Sequence, residues 1–421
     1  MKKTKNIKVR GMATAVGAAL LLGALATLGG CGKKDAGSTA AIDTDLQKKI
    51  QEQLLDAKPG SVIEIPAGNY HFDRGLSLRA NGVTIKGAGK DKTILSFKGQ
   101  QSGPEGLIVY GSDFTIEGLT VEDTKGDAIK INDGENITVR GVRVRWTGGP
   151  STSNGAYGIY PVKTKNVLIE DSEAWGASDA GIYVGQSQNV VVRRCHAEQN
   201  VAGIEIENTI HADVYENVAT GNTGGILVFN MPNLSQPGHS TRVYKNKSFK
   251  NNLANFGAKG TAVASVPAGS GMVINSNSKV EIFDNDVSDN QTANVIISSY
   301  YSTGYATTKG VEPNYDPYPK AILVVDNRFS GGGDSPDGLD LKTLKTVLFG
   351  LNGHFPDVLY DGYADPKNKG PEDRICVKNG GKSEVLNADG PNKYKDPKVD
   401  NKTFDCELPR LPAVELKFAA A

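Results

Sequence analysis

The sequence predicts an all-β chain wound as a parallel β-helix, and three observations carry that prediction. The first is a repeat: Ala180-Gly181-Ile182-Tyr183-Val184, Ala202-Gly203-Ile204-Glu205-Ile206 and Gly224-Gly225-Ile226-Leu227-Val228 follow one another at steps of 22 residues. Looser copies begin at Asp127, Tyr157 and Ala293. The second is the company each copy keeps. An alternating apolar run precedes it, such as Ile137-Thr138-Val139 or Val190-Val191-Val192, and a short third strand lies close by, such as Val142-Arg143-Val144. Three short strands per period leave no room for a crossover helix. The third is glycine, 50 of 421 residues, roughly 12% against an average of about 7%. With abundant Val, Ile and Asn, that content marks short strands separated by tight turns.

Taken in chain order, the first element is an address. Lys2, Lys3, Lys5, Lys8 and Arg10 precede an apolar stretch from Met12 to Leu28, which ends in Leu28-Gly29-Gly30-Cys31. Charged, then apolar, then small is the order of a secretory signal. The small residues before a cysteine make it resemble the lipobox of bacterial lipoproteins. That resemblance implies cleavage of residues 1–30 and lipidation of Cys31, with Gly32 resembling outer-membrane sorting. Residues 31–44 read as a polar tether. The expectation is an envelope protein held on a membrane by lipid, facing periplasm or cell surface.

Asp45 to Leu55 has helical spacing, with Leu46, Ile50, Leu54 and Leu55 on one side, and should cover the first coil, since an open sheet edge recruits other chains. From Ser61 to Ser330 the pattern holds about ten coils, each hiding its inner residues only under a neighbour. Asn217, Asn246, Asn285 and Asn327 share one turn column with Ser172 and Cys195; Asn200, Asn222, Asn251 and Asn290 share another. Stacked asparagines can satisfy turn backbone and reach the next coil. Past Ser330 the repeat stops at Gly331-Gly332-Gly333, and residues 331–421 read as a C-terminal cap with a helix from Leu339 to Phe349. Cys376 and Cys406 share that loop-rich segment and should pair in an oxidising compartment, while Cys195 falls on an apolar strand pattern.

Composition excludes several function classes. Lys plus Arg and Asp plus Glu are 47 each, so no general attraction to nucleic acid is implied. No metal-type Cys or His spacing appears.

The coils GIYV, GIEIEN and GGILVFN with their asparagine columns resemble right-handed parallel β-helix repeat proteins of the pectin-lyase-like superfamily. The nearest resemblance is to bacterial β-helix-repeat lipoproteins of unknown activity. It implies a right-handed, single-stranded helix and a polysaccharide lyase, epimerase or hydrolase as the enzyme classes in view. The motifs of those enzymes are missing here: Asp316-Pro317-Tyr318 lacks the histidine of an Asp-Pro-His, and Gly238-His239-Ser240 is no Gly-His-Gly.

Long insertions at 147–156, 231–240, 252–270 and 300–320 locate a cleft. The first and third enter the Gly-Ile-x-Val strands on one side, and the others leave on the opposite side. That strand face is expected to be a floor between two walls. Alternation aims Lys130, Asn132, Tyr160, Tyr183, Glu205, Glu207 and Phe229 onto it. Glu205 and Glu207 should share a face with carboxylates about 7 Å apart, suited to acid and base roles or to a shared cation. Lys130 or Tyr183 suits proton abstraction beside a uronate. Asn132, Tyr160, Phe229 and, from the tyrosine-rich last insertion, Tyr301 and Tyr305 suit substrate binding; ordinary solvated strand positions and a self-packed loop are the competing readings. His211 and His239 flank the cleft, whereas His196 belongs to another face. No cofactor is indicated, with calcium the one ion suggested, at Asp334, Asp337 and Asp340.

Two functions fit. One is a monomeric, membrane-tethered protein that binds and processes a polysaccharide along the floor. The other is a non-enzymatic envelope scaffold docking a protein in cofactor or redox maturation.

Overall fold

Alternating small apolar runs too short for helices pair with their copies one period later, and three sheets result. The computed structural model describes residues 41–303, 311–367 and 370–418. Residues 1–40, with Cys31, lie outside the described residues, as does Tyr305. The first sheet has 11 strands, from Val62–Ile65 to Ile375–Lys378; the second has ten, from Gly68–His71 to Arg328–Ser330; the third has 12, from Arg74–Leu78 to Lys398–Asp400. Strands pair in parallel from coil to coil, and the last pair, Val385–Asn387 with Lys398–Asp400, is antiparallel. The 22-residue step is the pairing register itself: Ile182 faces Ile204, which faces Ile226. These residues, with Val184, Ile206 and Val228, are buried in one continuous core that runs from Ile50 to Phe404.

The corners explain why the stack closes. Entering each first-to-second-sheet corner, Asp171, Arg194, Glu216, Lys245, Asp284 and Asp326 adopt φ between 53° and 57°. Left-handed backbone is costly for such residues, and glycine takes the same place earlier, at Gly118 and Gly141. The next residue offsets the cost. Asn217 Nδ2 donates to Asn246 Oδ1 at 3.0 Å, Asn246 to Asn285 at 3.0 Å, Asn285 to Asn327 at 2.9 Å, and Asn327 to Asn379 at 3.0 Å. Each Oδ1 also accepts the backbone N–H of the previous asparagine. A second ladder, Asn200-Asn222-Asn251-Asn290, ends on Asn294.

Both ends differ in detail from the sequence reading. Helix α1 (Thr44–Leu55) buries Ile50 and Leu54 against the first coil as expected, while Leu55 is exposed. Winding continues past Ser330: Val358–Tyr360 and Val385–Asn387 extend the third sheet, and Ile375–Lys378 the first. Helix α2 (Leu339–Phe349) interrupts the spacing of these strands, which hides them from a period search. Cys376 and Cys406 are joined by a disulfide, and Cys195 is buried and free, its thiol pushed up to about 12 by burial.

Beyond Cys406 the chain turns back along the first sheet. Arg410 stacks on Phe283 at 4.1 Å, Leu411 N–H donates to Glu281, Val414 N–H to Asp213, and Lys417 C=O accepts from Asn166. Three residues carry this strap across two coils. That is an extended backbone at about 3.2 Å per residue for coils 4.8 Å apart.

Asn246→Ala removes the acceptor of Asn217 N–H and the donor to Val214 C=O. Leaving buried groups unpaired should destabilise the protein by about 2–4 kcal/mol, measured by urea unfolding, with far less loss for an exposed asparagine such as Asn401.

Candidate functional site: a carboxyl–tyrosine floor

The third sheet's outer face is bounded as the insertions suggest. Thr152 Oγ1 donates to Phe256 C=O at 2.8 Å, joining 147–156 to 252–270. On the other side Asn233 Oδ1 accepts from Glu312 N–H at 3.2 Å, and Tyr315 Oη donates to Asn230 C=O at 2.7 Å, joining 231–240 to the last insertion. The register then lines up Lys130, Tyr160, Tyr183, Glu205 and Leu227 in one column, and Asn132, Val162, Gly185, Glu207 and Phe229 in the next.

The side chains at the middle of these columns point outward yet are buried, which corrects the reading of them as solvated strand positions. Glu205 is 1% exposed, and Tyr183 and Phe229 4% each. The walls cover them: Val263 and Val266 from one insertion and Met231 from another pack into the same apolar cluster. Lys130, Tyr157, Tyr160 and Glu207 keep partial exposure and form the open edge.

Three rings define the centre. Tyr157 lies 4.4 Å from Tyr160 and 4.6 Å from Tyr183, and Tyr160 and Tyr183 are 4.9 Å apart. Gly185 is required beneath them, because the Tyr183 ring occupies the space where a β-carbon would stand. Against the rings sit three carboxyl groups. Burial raises Asp179, and the Glu207 charge adds to it, while a hydrogen bond from Tyr157 acts the other way. Burial raises Glu205 well above its ordinary value, reinforced by Asp179 and Glu207. Burial also raises Glu207, opposed by hydrogen bonds from Tyr183 and Glu205. The proton therefore stays on Glu205, which donates to Glu207, and Glu205 Oε2 has no hydrogen-bond partner.

Several expected roles change. Glu205 and Glu207 hydrogen-bond to each other instead of standing about 7 Å apart, since in a sealed site a shared proton costs less than two charges. Lys130 is engaged as a cation, 3.6 Å from Asp127, 3.9 Å from Glu105 and 5.0 Å from the Tyr160 ring, so it is no free base. Burial, with Glu207 next, raises the Tyr183 phenol well above its ordinary value, making it a donor. Asn132 is tied to Asp133 at 2.6 Å. Phe229 faces a separate cavity. In the last insertion Tyr300 packs on Tyr315 and Tyr301 on Tyr318 and Tyr363, and Tyr301 is 43% exposed.

His211 and His239 pair with each other at 5.9 Å on the first sheet, and His196 binds Glu198 on the second. Asp337 is committed to Ala268 and Gly338 N–H groups, and among the described residues no set of three His, Cys, Asp or Glu is placed to hold a metal. Asp127, Tyr157 and Asp179 were missed by sequence reasoning. A signal was present: Asp127 and Tyr157 each open a copy of the repeat, and Asp179 directly precedes the alanine that opens another.

Ionising a buried carboxyl is costly, so these raised groups stabilise the fold fully below the ordinary carboxylate range and less as pH rises through their folded values. Thermal unfolding midpoints should fall between pH 5.5 and 8.5. Glu205→Gln should flatten that profile, changing the pH-dependent part by at least about 1 kcal/mol.

Comparison with known proteins places this geometry in a fold. A family model described as a right-handed beta helix region matches residues 81–236. The pre-neck appendage protein of Bacillus phage B103 is 23% identical over 237 residues, 47% of this chain and 27% of that protein. The corresponding protein of Bacillus phage phi29 is 23% identical over 205 residues, 40% of this chain and 24% of that protein. The chain thus spans about a quarter of the length of these relatives. Among solved structures, the A-module of the Azotobacter vinelandii mannuronan C-5 epimerase AlgE4 superposes with a TM-score of 0.50 at 17% identity, covering 76% of this chain and 87% of that module. The chain has the right-handed parallel β-helix of the pectin-lyase-like fold.

Proposed function

We propose that this is an exported, lipid-anchored β-helix protein that binds a polysaccharide along the walled third sheet and processes it at the carboxyl–tyrosine centre. The observation that carries the reading is the set of Asp179, Glu205 and Glu207, all raised by burial, against Tyr157, Tyr160 and Tyr183. Perturbed carboxyls beside a substrate-sized face are what acid–base chemistry at neutral pH requires. A solved protein sharing the fold is a mannuronan C-5 epimerase, which fits a saccharide substrate.

The geometry favours proton transfer over hydrolysis. Glycosidases hold their two carboxyls at least about 5 Å apart to admit the sugar or a water, and Glu205 and Glu207 are in contact. Glu207, raised toward neutrality and partly exposed, takes the proton from carbon beside a uronate carboxylate. Glu205 holds Glu207 in place through its hydrogen bond. Tyr183 supplies the acid, Lys130 at the open edge offsets the substrate's negative charge, and Asp179, when protonated, can donate a hydrogen bond. A lyase or an epimerase follows, according to whether the proton returns to carbon or the glycosidic oxygen leaves with it. Tethering at Cys31 would confine this activity to the envelope. The docking scaffold has less support, since Tyr301 alone of the described tyrosines in its wall is exposed.

The full chain carrying Cys31→Ala, offered alginate, polygalacturonate and neutral glycans, should bind at least one and release an unsaturated or epimerised product. Glu207→Gln should lower kcat by about 100-fold or more, and Lys130→Ala should mainly raise KM. A panel with neither binding nor product would end the reading.

A further inference from the structure

Four coils' worth of floor beyond Glu207 is largely apolar and lies under helix α2. Phe229, Val273, Ile296 and Leu359 line the bottom of a cavity of about 750 Å³, and Leu341 and Leu344 of α2 line another side. The helix is seated on this face only in part: Leu341, Leu344, Leu348 and Phe349 pack against the cluster that holds Phe229, Val273, Ile296 and Leu359. Its one buried side chain is Lys345, which donates to Leu351 C=O, whereas Leu341, Leu344 and Leu348 are partly exposed and Leu339 and Val347 are 79% and 75% exposed. An amphipathic helix ordinarily gains its stability by burying the apolar face. Here the burial is incomplete, and the cavity opens between helix and sheet where Leu339 and Val347 stay exposed.

The polar groups on the cavity's floor are already paired with neighbouring residues. Asn275 Nδ2 donates to Ser298 Oγ at 2.9 Å, and Asp361 accepts from Ser302 Oγ at 2.6 Å and from Ser299 N–H at 2.6 Å. The floor strands spend their backbone groups on neighbouring coils, and α2 spends its own internally. A peptide would find no backbone partner here, but a chain without polar groups needs none. From the Phe229 strand to the Ala388 turn is four coil steps, about 19 Å, the length of a dozen or more methylenes at a carbon–carbon bond of about 1.5 Å. The volume lies in the range that encloses a single small amphiphile, roughly 300–1,000 Å³. At the rim Lys395 has no ion-pair partner among the described residues, and Asp340 is the rim's one carboxylate.

We propose that this cavity is a binding site for one long-chain acyl anion of the fatty-acid class, its chain lying between α2 and the third sheet and its carboxylate at Lys395. The site is independent of the polysaccharide reading, because its floor begins one coil past Glu207 and uses none of the carboxyl–tyrosine centre.

Titration calorimetry of the full chain carrying Cys31→Ala with laurate, and photolabelling with a diazirine analogue of palmitate, test it. Laurate should bind saturably with one site per chain, and label should fall on residues 339–347 and 293–298. Ile296→Trp, which fills the cavity, should weaken laurate at least tenfold at an unchanged unfolding temperature, and Lys395→Glu should weaken laurate more than dodecyl glucoside. Label confined to residues 12–28, label that never saturates, or equal binding by Ile296→Trp and its parent would overturn the proposal. Photolabelling of the Cys31→Ala chain without the tryptophan keeps the test decisive if that variant fails to fold.

Discussion

A chain that returns to its starting line every 22 residues must turn three corners per circuit, and two of those corners bury backbone that no sheet can pair. The asparagine ladders resolve this. Each amide accepts the N–H of the asparagine before it, donates to the asparagine after it, and donates again to a strand carbonyl. The ladder thereby fixes both vertical spacing and rotational register. A slip of one residue would turn inner valines and isoleucines outward and would also break every amide contact at once. The columns on the outer surface, and with them any site built across coils, inherit their alignment from this buried seam.

That inheritance decides which parts of the molecule could be seen in the sequence. Column membership follows from the period, so Lys130, Tyr160, Tyr183 and Glu205 could be placed on one face from the repeat alone. Inner positions such as Ile182 and Ile206 followed by alternation. Burial of the outer face was not legible, because it depends on how 231–240, 252–270 and the last insertion fold over the sheet, and insertions carry no period. The role of Tyr183 changed for the same reason: a phenol beneath such a cover holds its proton. The tail from Arg410 to Lys417 was equally hidden, since an extended strap running along the axis shows no alternation against a second strand.

The outer faces of the first and third sheets differ in whether a buried carboxyl has an arginine beside it. On the first, Glu170 has a side chain only 5% exposed, yet burial is outweighed by hydrogen bonds from Arg140, Arg193 and Arg194, and it is lowered to about 2. Glu281 and Asp213 share Arg242 and the tail's backbone N–H groups, and Arg410 adds a further charge to Glu281. Each of these carboxyls has an arginine beside it, although burial still raises Asp213 and Glu281 and, among the described residues, Glu281 Oε2 has no hydrogen-bond partner.

Among the described residues no arginine pairs with Asp179, Glu205 or Glu207. The cation at the edge of their site, Lys130, is divided between Asp127 and Glu105, and Glu205 keeps an oxygen without a hydrogen-bond partner. Replacing such a cluster with well-packed apolar residues would ordinarily be neutral or stabilising, and the same fold fills the next coils of this very face with Leu227, Val273 and Ile296. Stability alone therefore gives no reason for three carboxyls raised by burial at the middle of the floor. Natural folds carry such a cost mainly at functional sites, and that cost is the ground on which proton transfer is proposed for the open edge at Glu207.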